Sequence, residues 1–428
     1  MSKYTLMSTV VNITKKTFNS LKHIDFRYFW FGQTVSWTGT WIQRTAQVWL
    51  VYTLTSSPIA LGLLGVFQFV PMLLFSLFAG ILVDRFSKKK LIVFTQIGFM
   101  VQSFTLFILT WSGYVEFWHV LILSAVFGCL QTVDIPARQS WYIDLVGKVD
   151  LPNAISLNST VTQMAKFTGP ILAGLIMTKY NITFCFLLKS VSTFAVLISL
   201  FFIKDQGNPE SKDRKSVAKD ILEGLKYIIG NARLRTPLLI MAIFCTFAMN
   251  TQVIIPVFVD TVLRLGVDGY TILLSTIGIG AFIGALYMAN RAGSVSSKQI
   301  VIDTVIISVL HIAVTFVRSY LLIIVLMFMF GFFSITFLNM SNAIIQTNTS
   351  DSYRGRVMSV YTLVNQGSHP LGNAFAGTIM EYYGASMGFV GCGAIALGLT
   401  ALLIFLTPMK DCFVNYSYKN KNKQTKKD

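Results

Sequence analysis

Long apolar stretches separated by short polar ones run the length of the chain. They fall at roughly 28–52, 58–83, 91–112, 117–135, 154–179 and 182–203, and again at 237–262, 268–290, 299–317, 319–346, 357–380 and 385–408. About 20 apolar residues in a helix cross the hydrocarbon core of a bilayer, so each stretch predicts one spanning helix. The predicted fold is an all-α polytopic membrane protein with 12 transmembrane helices in two pseudo-symmetric six-helix halves. The pattern divides the chain into a cytoplasmic N-terminal segment (1–27), a first half (28–203), a linker (204–236), a second half (237–408) and a basic tail (409–428). Residues 1–27 are polar and basic, without the apolar stretch and small-residue cleavage site of a secretory signal.

Within the linker, SVAKDILEGLKYII (216–229) has Val217, Ile221, Leu225 and Ile228 at helical spacing, with Lys219, Asp220, Glu223 and Lys226 between them. Ser216 is a suitable N-cap. This predicts an amphipathic helix, lying at the cytoplasmic interface or serving as a solvated connection.

Composition agrees with the pattern. Of 428 residues 54% are apolar and only 12% charged, about half the charge of a soluble domain. The net charge of +17 has two readings, a nucleic-acid surface or cationic cytoplasmic loops. Position decides between them. With the N-terminus inside, 29 of the 35 Lys and Arg fall in cytoplasmic segments, and only Lys179, Arg264 and Arg318 fall in outer loops. That asymmetry predicts both termini in the cytoplasm and no nucleic-acid partner. The cysteines, Cys129, Cys185, Cys245, Cys392 and Cys412, lack metal-type spacing, so no metal and no cofactor is expected. There is no phosphate-binding G-x-x-x-x-G-K-[ST] and no intramembrane catalytic set. The chain therefore reads as neither an enzyme nor a nucleotide-driven pump.

GILVDRFSKKK (80–90) resembles the loop signature Gly-x-x-x-Asp-Arg-x-Gly-Arg-Arg/Lys of the major facilitator superfamily, with Ser87 at the second glycine. GTWIQRTAQVWLVYTLTSSPIALGLLG (39–65), DIPARQSW (134–141), LPNAISLNS (151–159), KFTGPILAG (166–174) and RGRVMSVY (354–361) resemble its bacterial macrolide-efflux and enterobactin-export branch. The resemblance implies two halves rocking about a midplane cavity in the bacterial cytoplasmic membrane. It also implies that Asp84, beside Arg85, meets the positive N-terminal end of the eleventh helix near Gly355 and Arg356, as a conformational latch. The plainer reading of Asp84 is a topology anchor. Gly169 and Pro170 resemble the antiporter signature Gly-Pro-x-x-Gly-Gly, which favours a proton-coupled exporter. Arg138 completes the latch candidates.

Polar positions in the spans mark faces turned away from lipid. Gln33, Ser36, Thr40, Gln43, Arg44 and Gln47 form one stripe on the first span. Ser124, Gly128, Gln131 and Asp134 form another on the fourth. Thr246 and Asn250 lie on the seventh, and Asn339, Asn342 and Gln346 on the tenth. These four spans line the cavity in the family, although helix–helix hydrogen bonding uses the same residue types. Arg44 and Lys166 are mid-span cations, and a charge there is costly unless it meets water, a partner or a ligand. Lys189, in a peripheral span, is expected to reach towards the outer surface. Candidate substrate contacts are thus Arg44, Gln43, Gln47, Thr40, Gln131, Lys166, Asn250, Asn339 and Asn342. Proton-coupling candidates are Asp134, His369 and Glu116, with an Asp134–Arg138 structural pair as the alternative for the first. Asp260, Asp303 and Glu381 read as wet carboxylates near span ends.

The function expected is secondary active export of an amphipathic, anionic small molecule, with protons as co-substrate and the chain acting as a monomer in the bilayer. A dedicated siderophore or metabolite exporter and a multidrug pump both fit. A non-transporting sensor or scaffold is the alternative of a different class.

Overall fold

The computed structural model describes residues 18–203, 217–290, 294–350, 352–406 and 415–417. Helices α1 (Ile24–Thr55), α2 (Pro58–Arg85) and α3 (Lys88–Trp111) come first. Ser87 caps α3, its side chain accepting from the Lys90 amide. An N-cap hydroxyl therefore stands where the family pattern has glycine.

Phe117–Lys179 is helical throughout except at Gly147, whose φ of 73° is left-handed and suits a residue without Cβ. The part before Gly147 is α4 and the part after it α5. The polar stretch 136–153, read from sequence as a loop, is thus helical. Its residues Ala137, Trp141, Tyr142, Leu145 and Val146 are buried and pack with Phe26 and Phe29, so tertiary packing carries the helix on past the apolar span. α6 (Thr183–Phe202), α7 (Val217–Ile229), α8 (Ala232–Phe247) and α9 (Thr251–Phe258) follow. The seventh span is broken between α8 and α9. Then come α10 (Gly266–Asn290), α11 (Ser297–Phe316), α12 (Tyr320–Asn348), α13 (Arg354–Tyr383) and α14 (Ala385–Leu406). Among the described residues one short antiparallel pairing, β1 (Ser294–Ser296) with β2 (Asn415–Ser417), is the exception to an all-helical architecture.

Among the described residues nine helices are long and apolar enough to cross a membrane. The 63-residue helix counts once there but holds two crossings, and α1 and α13 carry too many polar positions to qualify. Twelve crossings result.

By contacts the chain forms two compact units, 1–46 with 74–213 and 47–73 with 214–428. In the first, Trp141 and Phe29 meet edge to face at 5.1 Å in the core. In the second, Phe244 stacks on Phe337 at 4.0 Å. Segment 47–73 belongs to the second unit through the Trp49–Tyr270 stack, Tyr52 Oη donating to Asp260 (2.9 Å) and Ser57 Oγ donating to Glu381 (2.7 Å).

Asp303 corrects the sequence reading. It is fully buried, accepting from Gln299 Nε2 (2.8 Å) and Thr336 Oγ1 (3.0 Å). Apolar packing of α11 against α12 encloses a carboxylate that position alone placed in water.

In the first unit a clasp ties the segment before α1 to the start of α5. Lys22 Nζ and His23 Nε2 each lie 2.8 Å from Asp150 Oδ2, and Asn19 Nδ2 donates to Oδ1 at 2.6 Å. The His23 contact, then Lys22, hold the Asp150 carboxyl down at about 2. A folded value below the ordinary carboxylate value of about 4 means the clasp is intact above that value and is lost as pH falls from it through about 2. Hydrogen exchange of residues 18–23 is expected to rise over that acid range. Asp150→Asn is expected to show the faster exchange already at neutral pH.

Candidate functional site

The first unit holds a cationic site built on α1. Trp41 and Arg44 are three residues apart and share a helix face. The Arg44 guanidinium lies 5.4 Å from the Trp41 ring centroid and 5.7 Å from that of Phe127 on α4, and its Nη2 donates to Gln131 Oε1 at 3.1 Å. Lys166 on α5 places its ammonium 6.0 Å from the same Trp41 ring. Two cations thus share one indole, each within cation–π range.

Gly169 explains the approach of α5 to α1. A Cβ there would collide with the Cβ of Trp41, so α5 reaches the indole only because this position lacks a side chain. Pro170, next to it, is buried.

The donors of this site are not all used. Arg44 Nε and Trp41 Nε1 are buried without a hydrogen-bond partner among the described residues. Buried polar groups are nearly always paired, so two orphan donors beside two cations suit an acceptor-rich, negatively charged ligand.

A second cluster lies along the same stripe of α1. Asp134 accepts from Thr95 Oγ1 (2.7 Å), Gln96 Nε2 (3.0 Å) and Arg138 Nε (2.6 Å). Arg138 also donates from Nη1 to Gln33 Oε1 (3.1 Å) and sits 5.4 Å from the Phe29 ring centroid. Asp134 and Arg138 are both buried, which corrects the placement of Arg138 in a cytoplasmic loop.

Lys189 is corrected too. Instead of reaching the outer surface it is 1% exposed, donates from Nζ to Ser36 Oγ (3.2 Å) and lies 5.6 Å from the Phe99 ring centroid. Asp134, Arg138, Lys189, Gln96 and Gln131 line a pocket of about 20 Å³. That is room for one or two waters and not for an organic substrate.

The remaining candidates divide by exposure. Gln43 is buried and donates to Gln102 Oε1 (3.0 Å), Thr40 donates to the Ser36 carbonyl (2.9 Å), and Gln47 is buried. Glu116 caps α4 through a capping box with His119 and accepts from Trp118 Nε1. In the second unit Asn339 is exposed and Asn342, half-buried, accepts from Gln346. Asn250 is fully buried, donating to the Thr246 carbonyl (2.7 Å) and facing Cys392 Sγ (3.7 Å), an environment that joins helices. His369 stacks on Phe69 at 5.2 Å, and Arg356 pairs with Glu223 at 3.0 Å. Arg85 is exposed at the end of α2. Ser216 and Cys412 lie outside the described residues, and the Asp84 side chain, on which the latch would depend, is not described.

Sequence reading passed over His311. It is buried, stacked on Phe330 at 4.9 Å, and neither ring nitrogen has a hydrogen-bond partner among the described residues. The signal was present in Thr304, Ser308 and His311, a polar row at helical spacing on α11.

The chain matches the transmembrane secretion effector family over residues 15–424. It is 25% identical over 385 residues to the staphyloferrin A transporter of Staphylococcus aureus (strain NCTC 8325 / PS 47), covering 89% of this chain and 96% of that protein. The enterobactin exporter EntS of Escherichia coli O1:K1 / APEC is 22% identical over 369 residues, 85% of this chain and 84% of its own length. A variant of a nucleoside transporter superposes with a TM-score of 0.73 at 12% identity, covering 90% of this chain and 100% of the other. A bacterial homologue of the human lysosomal transporter Spinster gives 0.70 at 14%, with 90% and 98% covered. At these identities the structures establish a shared fold.

Proposed function

The chain belongs to the transmembrane secretion effector family of major facilitator transporters, and on that footing we propose that it exports an amphipathic, anionic small molecule by alternating access. The observation that carries this reading is the pair of cations, Arg44 and Lys166, within 6.0 Å of the Trp41 ring centroid, with orphan donors on Arg44 and Trp41. Like charges held close in a poorly solvated site are unfavourable until an opposite charge joins them. A carboxylate or other oxyanion supplies that charge and the missing acceptors, while the Trp41 and Phe127 rings receive an apolar portion.

Within this reading a dedicated siderophore exporter is favoured over a multidrug pump, because the site selects by charge and the relatives named above are a staphyloferrin A transporter and an enterobactin exporter. The orientation we adopt has both termini in the cytoplasm, supported by the excess of Lys and Arg in the segments on that side, Arg138 apart. With the cell interior negative, each exported negative charge gains about 2.3 kcal/mol per 100 mV, or about 50-fold in gradient. Proton exchange adds to that drive, and Asp134 is our first choice for the proton-carrying group. It is a buried carboxylate beside a water-sized pocket with an arginine partner to exchange against.

The test compares metabolites in the medium of cells with and without the gene, grown iron-starved and iron-replete. Retention of a carboxylate-rich chelator inside the deletion strain under iron starvation supports the siderophore reading. Unchanged medium together with altered sensitivity to cationic drugs contradicts it and favours the multidrug pump.

A further inference from the structure

Helix α7 has 13 residues, about 20 Å of length, too short to cross the ~30 Å hydrocarbon core. One face packs inside the second unit. Ile228 is 3% exposed and shares a core with Val357 and Val360 of α13. A Cβ on Gly224 would lie 2.7 Å from the Arg356 carbonyl oxygen, so the two backbones nearly touch. Tyr227 stacks on Tyr353 at 4.4 Å, and Glu223 pairs with Arg356 at 3.0 Å.

The opposite face is apolar as well. Leu222, Leu225 and Ile229, at i, i+3 and i+7, are 60%, 40% and 56% exposed. Lys226 is exposed beside them, and α8, separated from α7 by two residues, adds exposed Arg233 and Arg235. A helix bathed in water has no reason to show three large aliphatic side chains in a row. A row of aliphatics bordered by cations, next to the start of a spanning helix, matches the boundary between acyl chains and anionic headgroups.

We propose that α7 lies in the cytoplasmic leaflet, with Leu222, Leu225 and Ile229 among the acyl chains and Lys226, Arg233 and Arg235 on anionic headgroups, so that the lipid surface braces the first turns of α13. The proposal rests on the orientation with both termini inside and is independent of the substrate. The brace runs through rigid contacts: the Tyr227–Tyr353 stack, the Glu223–Arg356 pair and the backbone approach at Gly224. Each cation near an anionic surface adds about fivefold to partitioning, so three cations give the helix a marked preference for anionic lipid.

The experiment uses the full chain in nanodiscs of phosphatidylcholine, with or without phosphatidylglycerol. Leu225→Trp is compared with the parent to isolate the added fluorescence, and Tyr227→Trp serves as the inward-facing control. Brominated acyl chains are expected to quench the Trp introduced at 225 and to spare that at 227. Thermal stability is expected to rise with phosphatidylglycerol in the parent. That rise is expected to disappear in the combined Lys226→Gln, Arg233→Gln and Arg235→Gln variant. Quenching at 225 by aqueous iodide instead would show a water-facing helix. Quenching that tracks the protein-to-lipid ratio would show a second copy on this face. A phosphatidylglycerol effect that survives the triple variant would place the anionic lipid elsewhere. Each of these three outcomes overturns the proposal.

Discussion

Arg138→Met is expected to destabilise the protein by about 3–5 kcal/mol, the cost of stranding one member of a buried ion pair. Its Nε–Oδ2 contact with Asp134 is 2.6 Å and both side chains are under a tenth exposed. The substitution leaves the carboxylate with Thr95 and Gln96 alone and frees Gln33 Oε1 from one of its donors. Asp134→Leu, stranding the guanidinium instead, is expected to cost a similar amount. The double variant is the informative one. With both charges gone and apolar groups of similar volume in place, it is expected to recover most of the loss, because buried pairs are close to break-even against hydrophobic replacements. Thermal unfolding of the parent, both single variants and the double variant forms the cycle, and strict additivity would show that the two residues do not act as a pair. Transport separates the roles further. If Asp134 carries the coupled proton, the double variant recovers stability without recovering dependence on a pH gradient.

Arg44→Ala gives the second large effect. A hydrogen bond to a charged group contributes about 1.5–3 kcal/mol, so apparent affinity for a carboxylate substrate is expected to fall roughly ten- to hundred-fold. Arg44→Lys is expected to fall between parent and alanine, since it keeps the charge and loses the planar fork. Lys166→Ala is expected to act in the same direction and less strongly, because its ammonium is a point charge held over the Trp41 ring at 6.0 Å. The pattern is measured as a concentration dependence of transport in proteoliposomes. Variants that unfold are set aside by a stability measurement on the same preparation.

The residues of the cationic site were readable from the chain because their signal is local. Arg44 interrupts an apolar span and shares its stripe with Gln43 and Gln47, and Lys166 stands three residues before Gly169. What they share was not readable, since Trp41 becomes the common neighbour only when α5 closes on α1 at Gly169. Lys189 shows the same limit. Its burial depends on α6 approaching α1, where a Cβ on Gly39 would collide with Ser192 Oγ and one on Gly32 would come within 2.7 Å of Ser199 Oγ. Spacing within one helix gives no account of that approach. Asp303 and residues 136–153 were misread for a related reason. Polarity indicates contact with water only when no neighbouring helix supplies hydrogen bonds, and Gln299 and Thr336 supply them to Asp303.

Anion selection at the site beside Trp41 is measured by competitive transport into everted vesicles. The parent, Arg44→Ala and Lys166→Ala would each be offered a polycarboxylate and a cationic dye of similar size. The parent is expected to prefer the polycarboxylate, and both variants are expected to lose that transport while dye transport stays level or rises. Equal dye transport by all three proteins, with no polycarboxylate moved by the parent, would contradict anion selection.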